Sequence, residues 1–380
     1  MLLLLALVGL FAAGCGSDSG QSALKQGVAD FDEKNYPAAI AHFTRATKRI
    51  TDSAPLYYHL GLAHLHQGEI ESALAAFNAA LELAPGHSEA KACLGQIAYL
   101  QNDAVKAQGY FEQALATASG DEAKARLLTS LALAEMARDR NDLARLYLLR
   151  AQQHNRRYAP AFYNLASLYR DKFNLREEAL DQFELYVRLA SKGDRHLEKA
   201  ENLIKRLRDN IARTQAEEAE GQRRDPAAAA RLLQEGARLN AAKQYPKAAK
   251  AFRDALAADP LTFSAAYGLA MTYKSQGLLA EALEAFRRAA QINPSHQESF
   301  LQAAELAFQL KRYAEAAKIL DRAIARSPFN AASAELMARI RNAEARQPEA
   351  RAYGEFYLSL LRPEQKSAAY EKWVRSLPVK

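Results

Sequence analysis

The chain has 380 residues, 49% of them hydrophobic and 25% charged, enough for two or three ordinary domains with buried cores. Its surplus of seven positive charges is modest and spread along the sequence, so no Lys/Arg stripe of the kind that binds nucleic acid stands out. Abundant Ala, Leu, Glu, Arg and Lys without strand-like alternation point to an all-helical chain, and two cysteines exclude a disulfide framework.

Met1 to Ala13 is almost uninterrupted Leu, Ala, Val and Phe and leads into Gly14-Cys15. That run is too short for an ordinary membrane-spanning helix but suits the apolar core of a secretory leader. The small residues before Cys15 resemble a bacterial lipobox. The resemblance implies a signal peptide over 1–14 and acylation of Cys15 as the mature amino terminus. It departs from the motif in having no basic residue before the apolar run, and Ala12 where Leu is more usual. A plain signal peptide or an uncleaved anchor is the alternative. Gly16 instead of Asp after the cysteine favours the outer membrane, with the chain facing the periplasm. Residues 15–21, rich in Gly and Ser, read as a flexible tether.

From residue 22 onward a pattern of about 34 residues recurs. One copy reads Tyr57, Leu60-Gly61, His64, Gly68, Ala73, Phe77, Ala80 and Pro85, and a later one Leu269-Ala270, Tyr273, Gly277, Ala282, Phe286, Ala289 and Pro294. Apolar residues three and four apart share a helix face. The small residue at Gly61 or Ala73 lets two helices approach, Phe77 fills the adjoining gap, and Pro85 stops the second helix. Each copy is therefore a helix hairpin that buries its faces only by stacking on neighbours. Eight copies are centred on Phe43, Phe77, Phe111, Leu148, Phe183, Phe252, Phe286 and Leu320. The fifth lies one residue out of register and has Tyr186 where a small residue is expected.

These motifs resemble the tetratricopeptide repeat family, and bacterial lipoproteins that carry such repeats. The resemblance implies an all-α, right-handed superhelical solenoid of helix hairpins. Five repeats occupy 22–190. Between 191 and 225 the pattern lapses into a helical connector of mixed charge, and three further repeats fill 226–328. Gln26 and Glu235 stand where most early repeats carry Leu (Leu60, Leu94, Leu131, Leu165), as fits the first hairpin of a stack. The chain therefore reads as two stacked arrays, roughly 22–220 and 226–380. Residues 329–380 read as a degenerate ninth hairpin with capping helices, or as an aromatic helix offered to a partner.

Chemistry is sparse. No phosphate loop, nucleophile elbow or His-Glu-x-x-His motif occurs. His59, His64 and His66 lie at spacings that scatter around a helix, and Cys93 reads as a small buried hydrophobe. The reading is a non-enzyme with no catalytic residue, metal or cofactor. The family resemblance places partner contacts on the concave side of each first helix. Carried over, those positions are Tyr58, Leu62 and His66, then Gln96 and Tyr99, Met136, Tyr163 and Arg170. In the second array they are Tyr267, Met271, Lys274 and Phe308. Tyr58, Tyr99, Met136 and Tyr163 are expected on one wall. Exposed aromatic and Met side chains with few charges suit an amphipathic helix or extended peptide, although the same rings could serve as packing. The expectation is a protein–protein scaffold, lipid-anchored in the bacterial envelope, supporting assembly of an envelope, secretion, pilus or polymer-export complex. The alternative is an accessory subunit tethering a periplasmic hydrolase or glycan enzyme.

Overall fold

The computed structural model describes residues 18–219 and 224–378, so the expected leader and Cys15 lie outside the described residues. Among the described residues there are twenty α-helices and no strand. The chain divides into two compact units: one extends to Arg140 and includes Gln153–Asn155, and the other comprises Asn141–Gln152 and Arg156 onward.

The first unit stacks hairpins of α1 (Asp18–Asp32) with α2 (Tyr36–Thr47), α3 (Ala54–Gln67) with α4 (Ile70–Leu83) and α5 (Ser88–Leu100) with α6 (Ala104–Thr117), followed by α7 (Asp121–Ala137). The small-residue rule has a direct steric cause. A Cβ placed on Gly27, Gly61 or Gly95 would lie 2.6–2.7 Å from the ring of Phe43, Phe77 or Phe111, sixteen residues on. The rings themselves are at most 2% exposed, so the glycine is what lets each ring sit in the hairpin seam. α1 starts at Asp18, inside the stretch expected to be a tether. There a Cβ on Gly20 would meet Arg49 at 2.9 Å, so residues 18–21 are packed helix and not linker.

The second unit contains α8 (Asn141–His154), apart from its last turn, then α9 (Ala159–Leu168), α10 (Arg176–Leu189) and the connector helix α11 (Leu197–Ala219). Next come the hairpins α12 (Pro226–Ala241) with α13 (Tyr245–Ala258), α14 (Phe263–Ser275) with α15 (Leu279–Ile292), α16 (Gln297–Gln309) with α17 (Tyr313–Arg326) and α18 (Ala331–Ala343) with α19 (Gln347–Leu360). α20 (Ala368–Ser376) follows a short 3-10 turn and sets Val374 against Gly354, where a Cβ would come within 2.6 Å.

Turns inside the hairpins share one conformation. Lys34, Gly68, Asn102, Asp139, Asn174, Lys243, Gly277, Lys311 and Ala345 all have φ between +53° and +82°. A left-handed residue after the first helix is the standard helix stop. Its recurrence at Ala345 makes α18 and α19 a ninth hairpin. Between Asp139 and Asn174 the interval is one residue longer than the period, and a π-turn at Tyr169–Phe173 absorbs the insertion. Tyr186 is 1% exposed and its hydroxyl donates to Asp194 at 2.5 Å. The large ring fits because a loop and α11, not another hairpin, follow it.

The compact units differ from the two expected stacks: α8, the second helix of repeat four, and the whole of repeat five belong with the later hairpins. A buried ion network ties α8 to them. Arg145 on α8, 0% exposed, donates to Asp142 at 3.1 Å, to Asp321 on α17 at 2.8 Å and to the Tyr353 hydroxyl on α19 at 2.7 Å. Asp142 also pairs with Arg341 at 3.0 Å and Arg346 at 2.9 Å. Burial alone would raise the Asp142 carboxyl, but the three arginines outweigh it and hold the group below the ordinary carboxylate range. The expected connector is helical over α11; Ala200, Ile204 and Leu207 are buried, and 212–216 are exposed.

Candidate functional site

In the first unit the same face of every first helix stays open. On α5 the sides carrying Ala90, Leu94, Ile97 and Ala98 are buried, while Gln96 is exposed, Tyr99 is half-buried and Leu100 is 64% exposed. The equivalent positions are Val28 on α1, Leu62 and Leu65 on α3, and Leu133 and Met136 on α7, all half-buried. α1 lies beside α3, and α5 beside α7. Successive hairpins thus repeat one stripe of apolar side chains, interrupted by the neutral Gln96. Gln96 and Tyr99 make no side-chain hydrogen bond or ion pair among the described residues.

Two expected members of this wall behave differently. Tyr58 is wedged into the seam between hairpins, its ring 6.0 Å from Phe77 and 4.9 Å from His87, with its hydroxyl beside Cys93. Burial raises the Tyr58 hydroxyl above its ordinary range, and burial likewise pushes the Cys93 thiol up to about 11, so neither ionises near neutrality. His66 is exposed but stacks on Tyr36 with centroids 4.6 Å apart. The neighbouring His64 pairs with Glu69 at 2.6 Å, and burial lowers His59. Among the described residues no three metal-ligating side chains are grouped to hold an ion.

In the second unit most of the corresponding positions are engaged by neighbouring side chains. Tyr163 is covered by His196, stacked at 4.7 Å, and abuts Tyr186 at 5.1 Å. Arg170 pairs with Asp171 at 2.5 Å. Tyr267 packs edge-on to His296 at 5.0 Å and to Phe286 at 5.6 Å. Lys274 donates to Gln302, and Phe308 lies under the Arg339 guanidinium at 4.8 Å, with Arg339 also reaching Glu305 at 3.4 Å. Met271, 39% exposed, is the freest of the set. Sequence position identified these residues but not their occupancy, because His196, His296, Gln302 and Arg339 come from the next hairpin or the approach to the connector. Tyr163 belongs to the second unit.

Stacked hairpins with one recurrent open face define a helical-repeat protein. Tetratricopeptide repeat models match residues 24–88, 58–124 and 239–297, and a further one matches 274–340, together more than half of the chain. The chain belongs to the tetratricopeptide repeat family. Solved structures of similar fold include PilW, a type IV pilus biogenesis factor, at 18% identity over 52% of this chain and 93% of that one, with a TM-score of 0.44. MamA residues 41-end from Desulfovibrio magneticus RS-1 share 17% identity over 47% of this chain and 97% of that one, with a TM-score of 0.41. YrrB, described as having an unusual peptide-binding site, shares 19% identity over 71% of this chain and 97% of that one, with a TM-score of 0.34. No curated protein matches the sequence.

Proposed function

We propose that the protein is a non-enzymatic scaffold whose first unit holds a helix or extended segment of a partner protein against Val28, Leu62, Gln96, Tyr99, Leu133 and Met136. The observation that carries this reading is the contrast between the units. The first-unit wall is apolar, half-exposed and free of internal polar pairing, whereas its counterpart in the second unit is cross-linked by its own side chains. Apolar and aromatic side chains flanked by few charges suit a docked amphipathic segment.

The leader supports a cellular setting. Acylation at Cys15 would anchor the chain in the bacterial envelope, at the outer membrane facing the periplasm, where the scaffold would serve assembly of an envelope, secretion, pilus or polymer-export complex. Neither nucleic acid nor a cofactor enters this reading. A photocrosslinking residue at Gln96 in cells is expected to yield discrete protein adducts, with few from the exposed position Glu82 on α4. Equal adducts from both positions would refute the wall. Cys15→Ser is expected to abolish fatty-acid labelling and release the protein from the membrane fraction; unlabelled, soluble wild-type protein would refute the anchor.

A further inference from the structure

The second unit has another opening, built largely from second helices and the connector. A cavity of about 690 Å³ lies between the start of α10, α11 and the ends of α15 and α17, within the size range of ligand sites. Its floor is apolar, formed by Pro260, Ile292, Pro294 and Phe300, with Leu261, 49% exposed, at the edge. Four arginines line it. Arg326 is committed to Glu177 and to Glu178, the latter at 3.0 Å. Arg176, Arg288 and Arg322 are exposed and pair with no carboxylate within 4.0 Å among the described residues. Arg322 acts on Glu178 only at a distance, where burial raises the carboxyl and Arg326 and Arg322 pull it partway back. Arginine does not lose its proton in proteins, so the cavity carries surplus positive charge beside an apolar floor.

Two further clefts adjoin this cavity. One of about 860 Å³ shares Pro260 and Arg288 with it and adds Arg253, Arg312 and Tyr273, with the carboxylates Glu281 and Glu284 also in its lining. The other, of about 200 Å³, shares Phe300 and Arg322 and adds Arg287 and Lys318 against one carboxylate, Glu315. Arg253, Arg288 and Arg322 stand at nearly equivalent places on α13, α15 and α17, so cationic groups recur with the repeat along a connected track. A compact anion would fill one cleft. A ligand that uses all three is elongated, and in an extended chain successive side chains point to opposite faces. Guanidiniums grip carboxylates through paired hydrogen bonds.

We propose that the second unit binds an extended acidic peptide along this track, its carboxylates on Arg288 and Arg322 and its apolar side chains on the Pro260–Ile292–Phe300 floor. The site is separate from the first-unit wall, so either can fail without the other.

The test is fluorescence anisotropy of the purified full chain with a labelled eight-residue peptide of alternating Glu and Leu. Saturable binding is expected, weakening as salt rises. Arg288→Glu with Arg322→Glu should reduce affinity at least tenfold, while Arg206→Glu, an exposed change on α11, leaves it unchanged. Circular dichroism melting checks each variant; if the double reversal melts early, Arg288→Gln with Arg322→Gln takes its place and the same loss is required. Absence of saturable binding, or equal losses in the double variant and the control, overturns the proposal. So does equally tight binding of a Lys–Leu peptide, or equal competition by tripolyphosphate or a Glu-only peptide, either of which would mark generic surface attraction.

Discussion

Replacing Arg145 by Ala tests the physical basis of the second unit. The guanidinium is fully buried and is the one ion-pair partner of Asp321 among the described residues; Asp142 would keep Arg341 and Arg346. The variant therefore strands one carboxylate, removes two donors from the Tyr353 hydroxyl and leaves a void. Removing one member of a buried ion pair costs about 3–5 kcal/mol, a large share of a domain stability of roughly 5–15 kcal/mol. Burial already raises the Asp321 carboxyl, against the pull of Arg145, so its protonation in the variant would relieve part of the loss. The lower end of that range, about 3 kcal/mol, is the expected value. The single tryptophan, Trp373, lies in α20 of this unit, so urea denaturation followed by its fluorescence reports the change. A shift no larger than that of a surface substitution, within about 0.5 kcal/mol, would refute the claim that this network holds α8 to the later hairpins.

Other outcomes follow from the same geometry. Gly61→Ala puts a methyl 2.7 Å from Phe77 and should destabilise the first unit by about 1–3 kcal/mol, whereas Gly86→Ala, which meets nothing within 4 Å, should not; thermal melts by circular dichroism compare them. Ala345, at φ 59°, pays the left-handed cost of a β-carbon, so Ala345→Gly should stabilise by up to about 1 kcal/mol after the entropy of glycine is offset, and a loss in urea midpoint would contradict this. Asp142 is held below its ordinary value of 3.8. A depressed carboxyl contributes stability above its unfolded pKa that is lost as pH falls through the folded one. The stability gap between wild type and Asp142→Asn should thus be full at neutral pH and narrow below about pH 4; a constant gap would refute the assignment.

Much of the hairpin architecture was legible because it depends on local spacing. Gly61 and Phe77, or Gly236 and Phe252, are sixteen residues apart, and their contact follows from one hairpin. The misregister at the fifth repeat was visible in Tyr186, and the π-turn at Tyr169–Phe173 supplies its cause. Arg145 was not legible: on the helix pattern it is one more charged residue, and its partners lie 176 and 208 residues further along. The division at Arg140 was missed for the same reason, since charge-pairing over such separations leaves no periodic trace. In the candidate site, repeat position located Tyr99 and Met136 on an open face but could not show that His196 covers Tyr163 or that Cys93 and His87 enclose Tyr58.

The central claim is that the first-unit wall holds a partner. Its most direct test is the affinity of the full chain, wild type and Tyr99→Ala with Met136→Ala, for the protein crosslinked from Gln96, with melting measured alongside. Anchor residues cost about 2 kcal/mol or more on truncation, close to thirtyfold in Kd. At least that loss, with melting nearly unchanged, is predicted. Full affinity in a variant that melts like wild type would contradict the account.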